Sequence, residues 1–162
     1  MTEKEMFLNT WEREFPVTVK VLKSYPAGKE DMKPHERSKT AVQLAWNFVM
    51  EEKVFVEGVM IGKFDFANAP KPPATLAEVA SLYEENHAAL VAKVQGMSDA
   101  DLEGIVQFFV APKTPGNVRK MDILWMMIMD MVHHRGQFSI YLRMAGGKVP
   151  SIYGPTADEP WQ

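Results

Sequence analysis

The segment NVRKMDILWMMIMDMVHHRGQFSIYLRMAGG, residues 117–147, constrains the fold more than any other part of the chain. It reads as one long helix from about Asn117 to Ala145. Gly146 and Gly147 supply a left-handed C-cap, and Pro150 prevents the helix from resuming. Its central part, DILWMMIMDMV, is apolar nearly all round, so the helix must be the most buried member of a helical assembly.

Three further helices are legible around it. The first spans roughly residues 2–23, with Phe7, Leu8, Trp11, Phe15, Val19 and Leu22 at helical spacing, a capping box from Thr2 and Glu5, and an interruption at Pro16. The second runs from an N-cap at Ser38 to about Met60, carrying Leu44, Phe48, Phe55 and Val59 on one stripe. The third begins at Thr75, where TLAE forms a cap, and continues to about Val94. Proline-bearing loops separate them, SYPAGKEDMKP after the first and GKFDFANAPKPPAT after the second. In the stretch 98–118, SDADLEG reads as a capped helical turn and IVQFFVA as a short strand or an extended connection. The expected architecture is a single all-α domain over residues 1–162, an antiparallel four-helix bundle.

Composition narrows the function. The net charge is -3, and RSK at 37–39 and VRK at 118–120 are too short to neutralise a run of phosphates, so nucleic acid is not an expected partner. Cysteine is absent, which excludes disulfides, thiolate metal sites and a cysteine nucleophile. The N-terminus mixes charged with apolar residues, unlike a signal peptide, and the longest apolar run, ILWMMIM, is too short to span a bilayer. The expectation is a cytoplasmic protein without a membrane partner.

Few residues can carry chemistry. Asp130 and His134 are four apart, which stacks them on one helical face within reach of a single ion. An ion pair is the simpler reading of that spacing, and Arg135 could partner the aspartate as well. His133 is rotated about 100° away and cannot share the same centre. Arg135 and Gln137 point to a hydrogen-bonded seam. Gly136, within a helix, costs about 1 kcal/mol relative to alanine, which close approach of another backbone would justify. Met121, Met126, Met127, Met129 and Met131 fit an adaptable core or an apolar small-molecule pocket. His35 and His87 lie in polar contexts and read as surface residues. Glu51 and Glu52 read as a solvated face, with the option that one turns inward beside Asn47.

The stretch HHRGQFSIYLRMAGGKVPSIYGP, 133–155, resembles the DinB/YfiT-like family of metal-dependent bundle proteins, with its HRGQ, YLR, post-helix glycine and VP-x-x-YG elements in order. A second match covers residues 15–52. The resemblance implies a homodimeric bundle holding a divalent metal (zinc, nickel, manganese or iron) with three histidines. One belongs to the second helix and two, four apart, to the last. Carried over, these positions are Asn47, Asp130 and His134, so two of the three histidines are replaced. Aspartate keeps a donor of similar reach. Asparagine is a poorer ligand for zinc or nickel, and the Asn/Asp/His set should bind metal more weakly and favour harder ions.

Two functions follow. One is a metal-dependent thiol transferase or hydrolase with His134 and Asp130 as ligands and Asn47 as a weak third. The other is a metal-free small-molecule-binding or structural bundle, in which the same three residues hydrogen-bond one another.

Overall fold

The computed structural model describes residues 1–162. Four long helices dominate it, α1 (Glu3–Lys23), α2 (Ala41–Ile61), α3 (Leu76–Gly96) and α5 (Lys120–Met144), with a single turn, α4 (Asp99–Leu102), before a hairpin of β1 (Ile105–Ala111) and β2 (Thr114–Arg119). The hairpin corrects the all-α expectation. IVQFFVA forms β1 because Val106 and Phe108 alternate inward against the protein while Ile105, Gln107 and Phe109 face out. Its partner TPGNVR pairs antiparallel, with Val106 opposite Val118 and Phe108 opposite Gly116.

Every helix except α5, whose N-cap Arg119 makes no side-chain cap, starts at a reciprocal cap. Thr2 with Glu5, Thr75 with Glu78 and Ser98 with Asp101 form capping boxes. For α2 the cap is Thr40 with Gln43, two residues beyond the expected Ser38. Thr40 has the better claim because only it has a glutamine at the third helical position to close the box. Helix α1 runs through Pro16 without ending. At the far end of α5, Gly146 has φ +88°, and Gly147 and Gly146 return hydrogen bonds to the carbonyls of Leu142 and Arg143. That pattern satisfies two carbonyls the helix end would otherwise orphan.

Helix α1 packs on α3 and α5, and α2 packs on the same two. Cross-contacts fix the directions. Lys23 pairs with Glu84 and Lys4 donates to Gln95, so α1 and α3 run antiparallel. Asn47 meets His134 while the Tyr141 hydroxyl donates to the Lys39 carbonyl, so α2 and α5 are antiparallel too. Phe7 packs edge-on to Trp125 and Tyr25 against Phe138, which makes α1 and α5 parallel. Glu52 meets Tyr83 and Glu57 meets Lys93, which makes α2 and α3 parallel. The antiparallel expectation therefore holds for two of the four neighbouring pairs. The loop 62–75 is long enough to carry the chain back along the domain, so α3 starts at the same end as α2.

The core lies between these helices, with Phe7, Trp11, Phe48, Val59, Val94, Leu124, Met127 and Phe138 removed from solvent. Two polar groups are built into it. Glu52 accepts from Trp11 Nε1 at 2.7 Å and from the Tyr83 hydroxyl at 3.0 Å, and lies 3.1 Å from His87 Nδ1. His87 is thus a core residue, 3% exposed and stacked on Phe15 at 3.7 Å, not the surface residue its polar neighbours imply. Further along the same face of α1, buried Arg135 donates to Glu14 Oε2 at 2.5 Å, to Thr18 Oγ1 at 3.0 Å and to the Tyr153 hydroxyl. This contact ties the C-terminal segment to the helices, and it takes Arg135 away from Asp130.

Gly136 is exposed, and a Cβ added there would meet nothing within 4 Å. The expected close approach of a second backbone does not occur within the chain. Gly136→Ala should therefore stabilise the protein by about 1 kcal/mol through helix propensity alone, read as a higher urea midpoint with unchanged slope. A destabilised variant would mean that the glycine serves a contact outside the chain.

Candidate metal centre

Because α2 and α5 lie side by side and antiparallel, each can offer a pair of residues four apart to the same space. Helix α2 supplies Asn47 and Glu51, and α5 supplies Asp130 and His134. One ligand atom from each of Glu51, Asp130 and His134 lies within 4.8 Å of the other two. His134 Nε2 is 2.9 Å from Glu51 Oε1, 3.7 Å from Asp130 Oδ2 and 3.1 Å from Asn47 Nδ2. The three positions singled out from sequence, Asn47, Asp130 and His134, are thus brought together, and Glu51 joins them. Side-chain exposure is 11% for Glu51, 18% for His134 and 48% for Asp130, so the cluster opens to solvent on the aspartate side.

Glu51 is the residue that sequence reading placed least well. Its signal was the spacing from Asn47, which repeats that of Asp130 and His134 and puts it one turn along the same face. The adjacent Glu52 turns instead into the core, so two neighbouring carboxylates serve two different networks.

The hydrogen bonds of the cluster leave one group unmatched in either protonation state of His134 Nε2. Gln137 Oε1, which can only accept, lies 3.0 Å from His134 Nδ1, so that nitrogen carries a proton. Asn47 Oδ1 accepts from Lys39 Nζ at 2.8 Å, which leaves the Asn47 Nδ2 hydrogens facing the imidazole. A neutral Nε2 can then accept from Asn47, but its lone pair faces the Glu51 carboxylate. A protonated Nε2 can donate to Glu51, but it then meets the Asn47 N–H. In addition, Glu51 Oε2 is buried and has no partner, a state that ordinarily costs free energy. A divalent ion held by Glu51, Asp130 and His134 would give the Nε2 lone pair and the buried Glu51 oxygen a partner, with the Asn47 N–H left to donate to a carboxylate oxygen. The residues present fit such an ion.

In the absence of a cation the protons must compensate. The hydrogen bond with Glu51 raises the pKa of His134, and burial raises that of the Glu51 carboxyl. In metal-free protein, His134 should therefore titrate above the ordinary imidazole value of about 6.5. The protonated form is the one the fold favours, so this stabilisation is full below the unfolded pKa and is lost as pH rises through the folded one. An NMR titration of chelator-treated protein checks the direction, and a pKa at or below the ordinary value would contradict it.

A cavity of about 810 Å³ opens beside the cluster, within the range of small-molecule sites. Trp46 and Phe55 of α2, Phe66 of the following loop, Phe108 of β1 and Met126 and Met129 of α5 form its apolar wall. His133 borders it as well, and lies 3.0 Å from Gln137 Nε2. The hairpin that sequence reading left open between strand and connection thus closes one side of the site, since Phe108 packs on Phe55 and Phe64. No helix is long and apolar enough to cross a membrane.

Known proteins resemble the chain over nearly its whole length. An uncharacterised protein of Bacillus subtilis (strain 168), YrdA, is 25% identical over 154 residues, covering 94% of this chain and 89% of its own. A DinB-like protein of Bacillus cereus ATCC 10987, solved by crystallography, superposes with a TM-score of 0.78 at 27% identity, covering 92% of this chain and 97% of the other. The DinB-like protein YjoA of Bacillus subtilis shares the fold, with a TM-score of 0.70 at 17% identity, over 87% and 92% of the two chains. The model of the DinB family matches residues 1–161, and with the fold, the helix-borne polar cluster and these likenesses in agreement, the chain belongs to the DinB family.

Proposed function

We propose that this protein is a divalent-metal-dependent enzyme acting on a small molecule by thiol transfer or hydrolysis, built on a four-helix-bundle scaffold. Glu51, Asp130 and His134 would hold the ion, a set of two carboxylates and one imidazole that suits manganese, iron or zinc. The observation that carries this reading is the cluster's failure to satisfy itself, with Glu51 Oε2 buried and unpartnered beside a histidine whose Nδ1 proton is already committed to Gln137. Bound there, a divalent ion would supply Lewis-acid chemistry, lowering the pKa of a thiol or a water molecule.

The chain's own residues prepare the site. Gln137 fixes the His134 tautomer that leaves Nε2 available, as hydrogen-bonded partners of metal-ligating histidines commonly do. Asn47, whose oxygen is engaged by Lys39, presents an N–H beside the ligands, where it cannot hold the ion but can donate to an oxygen of the substrate. The half-exposed Asp130 borders the cavity, so a substrate can approach from its side while the aromatic wall excludes water from the apolar part.

The direct 2.9 Å contact between His134 and Glu51 favours a second reading, in which the same residues close a metal-free polar network beneath a binding pocket. Thiol-transfer and hydrolase assays on protein loaded with manganese, iron, zinc or nickel distinguish the two. The first reading expects turnover that needs added metal and disappears in Glu51→Gln. Turnover that survives both chelation and Glu51→Gln would sink it.

A further inference from the structure

We infer that the cavity beside the centre takes a ligand with a single negative charge on an aromatic or branched apolar body, and that Lys39 is the residue that reads the charge. The inference rests on the metal-dependent reading above. Lys39 precedes the Thr40 cap of α2, and its backbone carbonyl is anchored by the Tyr141 hydroxyl at 2.9 Å. Its ammonium donates to Asn47 Oδ1 at 2.8 Å and is in no ion pair, so two of its three N–H groups remain for a ligand.

Charge balance decides the sign. A divalent ion neutralises the carboxylates of Glu51 and Asp130, and the Lys39 ammonium is then the uncompensated charge of the cavity wall. A monoanion restores neutrality, whereas a cation meets Lys39 and a dianion overshoots. Lys39 is exposed at the rim of the cavity, where pairing with an anion is worth about 1 kcal/mol, enough to discriminate among ligands that share a body.

The other end of the site selects for an apolar body. Phe55, Phe66 and Phe108 lie with ring centroids 5.6–6.3 Å apart, Phe55 meeting both others edge-on and Phe66 tilted against Phe108. The Trp46 indole is fixed by its N–H to the Pro70 carbonyl at 2.8 Å. These rings form a wall that exists before a ligand arrives, and the thioether of Met126 can adjust to its outline. Along the chain into α2, Lys39 and Asn47 precede Glu51 and Phe55 follows it by one turn, so charge and body are read at successive points along the cavity.

Calorimetric titration of the Mn²⁺-loaded protein with 4-phenylbutyrate and with 4-phenylbutanol tests this. The two probes share a body and differ in charge. The acid should bind about tenfold more tightly than the alcohol, the usual worth of a charged hydrogen bond. Lys39→Met should abolish that preference and leave the alcohol unaffected. Equal binding of the two probes by the wild type would overturn the inference. So would a preference that persists in Lys39→Met, because the anion would then be held by the metal. Mn²⁺ uptake, followed in the same samples, separates the two claims. A Lys39-dependent preference in protein that takes up no Mn²⁺ supports Lys39 as the residue that reads the charge and overturns the metal reading together with the charge balance built on it.

Discussion

Glu52→Ala should destabilise the protein by about 3–5 kcal/mol, the range found when one partner of a buried charged network is removed. Glu52 is 1% exposed and is the common partner of Trp11, Tyr83 and His87, which come from α1 and α3. Truncation leaves the indole N–H, the phenol and the imidazole without their acceptor, in a region packed too tightly for water to replace it easily. Each orphaned donor costs about 1–3 kcal/mol, and the space vacated by the side chain adds to the loss. Glu52→Gln keeps one acceptor oxygen and should lose less. Urea unfolding of the three proteins checks the order, and a loss below about 1 kcal/mol in the alanine variant would show that the network is not what holds α1, α2 and α3 together.

The second large effect belongs to the metal centre. His134→Ala should weaken metal binding by more than about 100-fold, because it removes a ligand outright, where loss of a supporting hydrogen bond costs about 10–100-fold. Glu51→Gln should approach the same loss, since the buried carboxylate supplies both charge and a short reach to His134. Asp130→Asn should cost less, because the side chain is half-exposed and water can take its place. Gln137→Ala, which frees the His134 Nδ1 proton, should fall in the supporting-bond range. The four variants keep the core intact, so their thermal stabilities without metal, measured above the pH at which His134 titrates, should stay close to that of the wild type. Asp130 proving more important than Glu51 would move the centre of the site outward.

Much of the frame was legible because caps, glycines and apolar stripes are local signals. Thr2, Thr75 and the Gly146–Gly147 pair mark helix ends with side chains or backbone angles that act within four residues. The candidate site was legible in part for the same reason, since Asp130 and His134 sit on one helix four apart. Glu51 was not, because which of two adjacent glutamates faces the centre depends on how α2 is rotated against α5. His87 shows the converse. Its neighbours in sequence are glutamate and asparagine, yet it is buried because Glu52, on another helix, gives it a partner. The hairpin was ambiguous because IVQFFVA is too short for its period to exclude an extended connection, and its partner TPGNVR contains proline and glycine. The directions of the helices depend on the loop that returns the chain between α2 and α3, and no periodic signal encodes that.

Glu51, Asp130 and His134 are proposed to hold one divalent ion. The most direct test is calorimetric titration of chelator-stripped protein with Mn²⁺ and Zn²⁺, beside His134→Ala shown by circular dichroism to be folded. One ion per chain is expected in the wild type and none in the variant. A wild type that takes up neither ion, or a variant that binds them as well as the wild type does, would contradict this assignment.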